Sequence, residues 1–328
     1  MSSKDLSTAV GRLVEVATGD GDDRALRTAV NAVVKAFDPA DAKAAKSAIT
    51  KIGDGARTAD GRAAQVLQLT LGALVEAGAS PELAWPIVSA GLAELLGAAT
   101  RFADACLERA KNESGDEGFA MAAMEVASRR PREAAAWREA PSRSLAAVAC
   151  LTRSLDLRTA ARAEKKLLTA AEPLADAIDE VGLLLEALRV LDGDTIRVTE
   201  EESGKTFRVV AHEVATNAEL LVLLADALAE PLGTPRPDAK AVAAVTGGNA
   251  KKTKLAIAYA DEVIDGIPAD LPAKNGERLV TIQILDKPAT LDVQTAFPAL
   301  SPRVELAGGS KAKPGKAARP PTRSPKRR

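Results

Sequence analysis

The chain has 328 residues, 46% of them hydrophobic and 27% charged, and its 44 Lys and Arg against 45 Asp and Glu leave a formal net charge of −1. These are ordinary globular values, and the length suggests about two domains with enough apolar material for packed cores. Aromatic residues are scarce, with two Trp, one Tyr and five Phe, which argues against a stacking platform for single-stranded bases.

The opening stretch, MSSKDLSTAVGRLVEV, carries charges throughout and has no apolar h-region, so no secretion signal is expected. The longest charge-free apolar run, residues 63–75, is too short for a bilayer, which needs about 20 residues. Cys106 and Cys150 sit in apolar helical patterns and read as buried thiols of a reducing compartment. A soluble, cytoplasmic chain with no membrane association is expected.

In chain order, Leu6, Val10, Leu13 and Val14 form one helical stripe, and Leu26, Val30, Val33, Val34 and Phe37 form the next. The Asp-rich run between them, GDGDDR, reads as a helix stop and cap. It is a poor calcium loop, because Arg24 stands at its fifth position. A third helix follows over DPADAKAAKSAITKIG. The near-constant spacing imitates a helical repeat, but its register is lost after the second helix.

Residues 60–110 read as two longer helices broken at GASPELAWP, with Ser80 as cap, Pro81 in the first turn and a kink or late start at Pro86. The second of these carries apolar residues over more than one face and is expected to be central. Further helices are expected over 119–172, interrupted at Pro131 and Pro141, and another from Pro173 with Leu174, Ile178, Val181, Leu184, Leu185 and Leu188 on one stripe. Trp85 and Trp137 read as core residues.

At residue 192 the period changes. Ile196 and Val198 alternate with polar residues, then, after ESGK, so do Phe207 and Val209, which is a β-hairpin signature. A helix capped at Asn217 and stopped at Pro231–Gly233 follows, then a short one over DAKAVAAV. KLAIAYADEVID fits strand or helix, RLVTIQIL is the clearest strand, and RVELA reads as the last. The expected fold is mainly α. An N-terminal multi-helix domain, a bundle or irregular helical array over 1–190, precedes a smaller α+β domain over 191–306 and a disordered Lys/Arg/Pro-rich tail over 307–328.

His212 is the sole histidine. HEVAT lacks the second histidine of a zinc helix, and no G-x-S-x-G elbow accompanies it. TGGNAKKTK has the glycines and Lys-Thr of a phosphate loop, but Lys251 stands where glycine must precede the lysine. It reads as a turn followed by a basic start to the next element, with some capacity for anions. Asp192 and Asp194 lie too far along their strand from Glu200, Glu201 and Glu202 to share an ion. No metal and no cofactor are expected.

The tail reads KAKPGKAARPPTRSPKRR. Lys311, Lys313, Lys316, Arg319, Arg323, Lys326, Arg327 and Arg328 stand among four prolines with no acid, while the other 310 residues hold 36 basic and 45 acidic groups, a net of −9. Ser-Pro-Lys-Arg resembles the S-P-K-K units of linker-histone tails, and KAKPGKAARPP is similar to the Lys/Pro/Ala-rich tails of nucleoid proteins. Both resemblances lack the repetition of those tails. They imply non-specific nucleic-acid association through the tail. The expected function is therefore a non-enzymatic binding or scaffold protein with an unidentified protein partner. The alternative is an enzyme or small-ligand sensor with a pocket near residues 190–215, using Asp192, Asp194, His212 and Glu213.

Overall fold

A computed structural model describes residues 3–19, 22–59, 61–111, 115–247, 251–261, 266–293 and 295–307. The basic tail lies outside the described residues. Eleven α-helices precede the first strand among the described residues. The first three are α1 (Ser3–Thr18), α2 (Asp23–Ala36) and α3 (Ala42–Thr58). Their expected stripes face largely inward, with Leu6, Val10, Leu13, Leu26, Val33, Ile49 and Ile52 buried, but Val34 of the second stripe is exposed. Asp22 and Asp41 cap α2 and α3 by accepting from Ala25 N at 2.7 Å and Ala44 N at 2.9 Å, so the Asp-rich run is a cap where it is described.

The next helices are α4 (Gly61–Glu76), α5 (Pro81–Ser89), α6 (Leu92–Ala110), α7 (Gly115–Arg129) and α8 (Pro131–Leu151). Several expectations are corrected here, the first at the break in this stretch. The kink expected at Pro86 lies instead at Ala90–Gly91, where Gly91 takes a left-handed φ of 68° and the axes of α5 and α6 bend by 44°. Arg143 of α8 fixes the break by donating to the Val88 carbonyl at 2.9 Å and to that of Ala90, the orphan acceptors at the end of α5. Ser80 bonds Glu82 rather than the helix backbone.

Second, Pro141 does not interrupt α8. Third, α8 rather than α6 is central, packing against α4, α5, α6, α7, α9 (Leu155–Ala163) and α11 (Asp179–Arg189). Its buried face of Ala140, Ser144, Ala146, Ala147 and Cys150 is small enough for neighbours on several sides. That packing outweighs the roughly 3 kcal/mol an interior proline costs. α4 comes close to α8 at Gly72, where a Cβ would stand 3.1 Å from Ala146 Cα. Between α9 and α11 run α10 (Lys165–Ala171) and a 3₁₀ turn at Glu172–Leu174. The helix expected from Pro173 begins only at Asp179, although its stripe is buried as expected.

The hairpin is β1 (Leu191–Glu200) with β2 (Thr206–Val214). It is followed by α12 (Asn217–Ala227), α13 (Ala229–Leu232), α14 (Ala239–Thr246), β3 (Lys251–Tyr259), β4 (Ala273–Lys274), β5 (Glu277–Val293) and β6 (Arg303–Leu306). Residues 254–259 of the ambiguous segment thus belong to the strand β3, and residues 262–265 of it lie outside the described residues. The cap of α12 is Thr216, not Asn217, in a capping box with the buried Glu219. The strands form one sheet in the order β3-β5-β1-β2-β6, with β4 beside β5. β1 and β5 run parallel, and the other pairs are antiparallel.

Apolar packing divides at residues 190 and 191. Val190 belongs to the helical core and Leu191 to the sheet core. Ala215, Phe297 and Leu300 cross back into the helical core from the C-terminal part. Trp137 lies between the helical core and a small cluster of α6 and α7, with its ring 6.1 Å from those of Phe102 and Phe119. Trp85 packs half-buried on the helical core. Among the described residues no single helix is long and apolar enough to cross a membrane.

Candidate functional site

Of the four polar residues expected around the hairpin, Asp192 and Glu213 meet at its open end through Arg158, with Asp194 and His212 beside them, and two irregularities in the ladder place them. Leu191 pairs with Val214, Asp192 with His212 and Asp194 with Ala211, so Gly193 and Glu213 are extra residues on their strands. Both have positive φ, 86° for Gly193 and 56° for Glu213. Bulges of this kind turn a side chain away from its regular face.

Here they face α9. Arg158, wholly buried, donates from Nε to Asp192 Oδ2 and from Nη2 to Asp192 Oδ1, both at 2.9 Å. Nη2 also reaches Glu213 Oε1 at 3.0 Å, and Nη1 reaches the Leu151 carbonyl at 2.8 Å. One turn later, Arg162 donates to Asp192 Oδ2 at 2.6 Å and to the Leu188 carbonyl at 2.6 Å. Glu213 Oε2 accepts from Ser301 N at 2.9 Å, which draws the segment before β6 into the same cluster.

Burial alone would raise the pKa of Asp192, but hydrogen bonds and charge from Arg158 and Arg162 outweigh it and hold the carboxyl below its usual range. Burial likewise pulls Arg158 down, and Asp192 and Glu213 reverse that, leaving its pKa raised. The group is thus charged on both sides and closely paired. A carboxylate so stabilised is a weak general base at neutral pH. The arrangement works as a clasp joining the helices to the sheet.

The remaining nominated residues sit at its margin. Asp194 accepts from Asp192 N at 3.0 Å and faces Arg278 Nε at 3.6 Å. His212, half-buried, lies on β2 between Asp192 of β1 and Arg303 of β6. Beside the clasp a cleft of about 370 Å³ opens between α10, α11 and the sheet. Its Arg162, Arg189 and Arg278 face Glu172, Asp194 and Asp270, and Arg189 already pairs with Glu172 at 3.0 Å and Asp270 at 3.5 Å.

Sequence reasoning missed Arg158 and Arg162. The available signal was their i, i+4 spacing on a short helix, with Arg158 three residues before the buried Ala161. Glu200 serves its turn by accepting from the N–H groups of Glu202 and Ser203. Cys106 and Cys150 are buried and unpaired, and burial pushes the Cys150 thiol up to about 12. The tail residues Lys311, Lys313, Lys316, Arg319, Arg323, Lys326, Arg327 and Arg328 lie outside the described residues. No protein-family model, curated protein or solved structure matches this chain.

Proposed function

We propose that this chain is a non-enzymatic binding protein whose body engages a protein partner and whose tail holds it near nucleic acid without reading sequence. The observation that carries this reading is the segregation of charge: eight cations and no acid in residues 311–328, beside a remainder at −9. A cationic segment gains affinity for a polyanion by releasing its counterions. The body supports the reading in two ways. Asp192 and Glu213 are committed to Arg158. Leu107, Met121 and Met124 present large apolar side chains to solvent on α6 and α7, the adaptable kind of surface that partners cover. A cytoplasmic location belongs to this reading, because buried unpaired thiols suit a reducing compartment.

The test is duplex DNA and RNA binding by the full chain and by a variant with all eight tail cations changed to Gln, over a series of salt concentrations. If every tail cation meets a phosphate, the log–log salt slope on DNA approaches about −7. Fewer contacts give a proportionally shallower slope. Equal binding by both chains, or none by either, overturns the tail's role.

A second reading, a small-ligand sensor, is favoured by the cleft beside Asp194, because Arg278 Nε there is buried without a hydrogen-bond partner. An Arg278→Met variant that loses a ligand-induced rise in melting temperature, in a screen of small carboxylates, would establish it.

A further inference from the structure

We infer that the folded body carries an anion site for phosphate groups on the outer edge of β3, separate from the tail and standing whether or not the tail binds nucleic acid. β3 ends the sheet, so half of its backbone polar groups face away from a strand partner. Its register with β5 slips from Leu255–Ala289 to Ile257–Ile284, so β5 residues 285–288 bulge opposite Ala256. That bulge brings Pro288 to the rim of a cavity of about 370 Å³, closed on the far side by the segment leading into α14.

Three cations line this cavity, Arg236, Lys252 and Lys254, against one carboxylate, Asp238. Asp238 is committed as the cap of α14, accepting from Lys240 N at 2.8 Å. The described carboxylates beside Arg236 and Lys252 stand 3.9 and 4.0 Å away, beyond hydrogen-bond reach. Lys254 pairs with none of the described carboxylates. Thr253 shares the wall. It is 5% exposed, and its Oγ1 has no hydrogen-bond partner. Buried hydroxyls are ordinarily satisfied, so an unpaired one in the wall of a cavity lined mainly by cations marks where a ligand oxygen belongs. The cleft beside the clasp offers the contrast, with its three arginines facing three carboxylates.

Two separate ammonium groups on β3 and one guanidinium from the segment before α14, with the Thr253 residue in the wall, suit a tetrahedral oxyanion better than a planar carboxylate, which a single arginine fork satisfies. The phosphate group is the shared chemistry, and a free phosphoester and a nucleic-acid backbone are its two sources. Lys252 and Thr253 come from TGGNAKKTK. Because a strand rather than a helix begins at Lys251, side chains rather than a wrapped backbone would hold the anion.

The test is an amide-shift titration of the isotope-labelled full chain with pyrophosphate and, separately, with a short single-stranded oligonucleotide, at constant ionic strength. Saturable shifts at Lys252–Lys254 and at residues 236–241 are expected. Lys252→Glu with Lys254→Glu lowers the affinity about tenfold or more, a single decade being a modest loss for two reversed charges. The melting temperature holds, since both side chains are exposed. Thr253→Val weakens binding without lowering stability, because the hydroxyl it removes has no partner in the fold.

Shifts at these amides from both probes, with pyrophosphate displacing the oligonucleotide, identify a nucleic-acid backbone as the source. Shifts from pyrophosphate alone identify a small phosphoester. No saturable shift from either probe at millimolar concentration overturns the site, as does unchanged binding by a folded double variant. Oligonucleotide shifts confined to the tail, with no pyrophosphate shift at these amides, likewise overturn the site while leaving the tail's role intact.

Discussion

Arg158 and Asp192 meet fork to fork, with two hydrogen bonds of 2.9 Å and side chains 0% and 3% exposed. The pair joins α9 to the first residues of β1 and is the principal polar tie between helices and sheet. Removing one member of a buried pair strands the other's charge, at about 3–5 kcal/mol. Asp192→Asn is expected to cost that much in denaturant or thermal unfolding. Glu172→Gln, at an exposed partner of Arg189, is expected to cost under about 1 kcal/mol. Equal losses would refute the clasp as the stronger tie.

Two buried carboxyls give opposite pH signatures. Asp192 has a depressed pKa in the fold. Its stabilisation is therefore complete above the unfolded value of about 3.9 and is lost as pH falls through the lower folded value. Glu219 is raised by burial, only partly offset by N–H bonds from Ala215 and Thr216. Its contribution is full below about 4.3 and declines as pH rises through the folded value. Melting curves should therefore show Asp192→Asn flattening the acid limb below about pH 4. Glu219→Gln, which can still accept both N–H bonds, should gain stability relative to the parent as pH rises above about 5. A parallel pH dependence in the Gln variant and the parent would contradict the assignment.

Glu213 holds a left-handed φ of 56° while bonding Arg158. Glu213→Ala and Glu213→Gly lose the same contact, but only glycine relieves the backbone. In a regular strand glycine is the worse residue. Here Glu213→Gly is expected to be more stable than Glu213→Ala by about 1 kcal/mol. Comparing the two melting midpoints checks it, and an advantage for alanine would mean that the bulge is not retained.

The contact between α4 and α8 makes a packing prediction. A Cβ at Gly72 would stand 3.1 Å from a backbone atom of the central helix, which cannot swing aside as a side chain can. Gly72→Val is expected to cost about 1–3 kcal/mol, despite the better helix propensity of valine. A neutral or stabilised variant would show that α4 and α8 are not seated this closely.

The amino-acid pattern by itself determined the elements whose signals are local. Stripes such as Leu6, Val10 and Leu13 define helices because burial at 3.6 residues per turn needs no knowledge of the partner. The alternation of Ile196 and Val198 marks the hairpin, and RLVTIQIL marks the core of β5, for the corresponding reason. The acidic residues Asp192 and Glu213 also stood out in the sequence, but their partners did not. Arg158 precedes Asp192 by 34 positions, and a guanidinium on a helix looks solvated until the fold shows what lies opposite. Only the tertiary structure decided that Arg158 is buried, that Pro141 is tolerated inside α8, that β1 and β5 run parallel, and that Lys252, Lys254 and Arg236 line one cavity. Each depends on chain segments distant in sequence meeting at ångström separations, where packing and charge pairing outweigh the preferences of neighbouring residues.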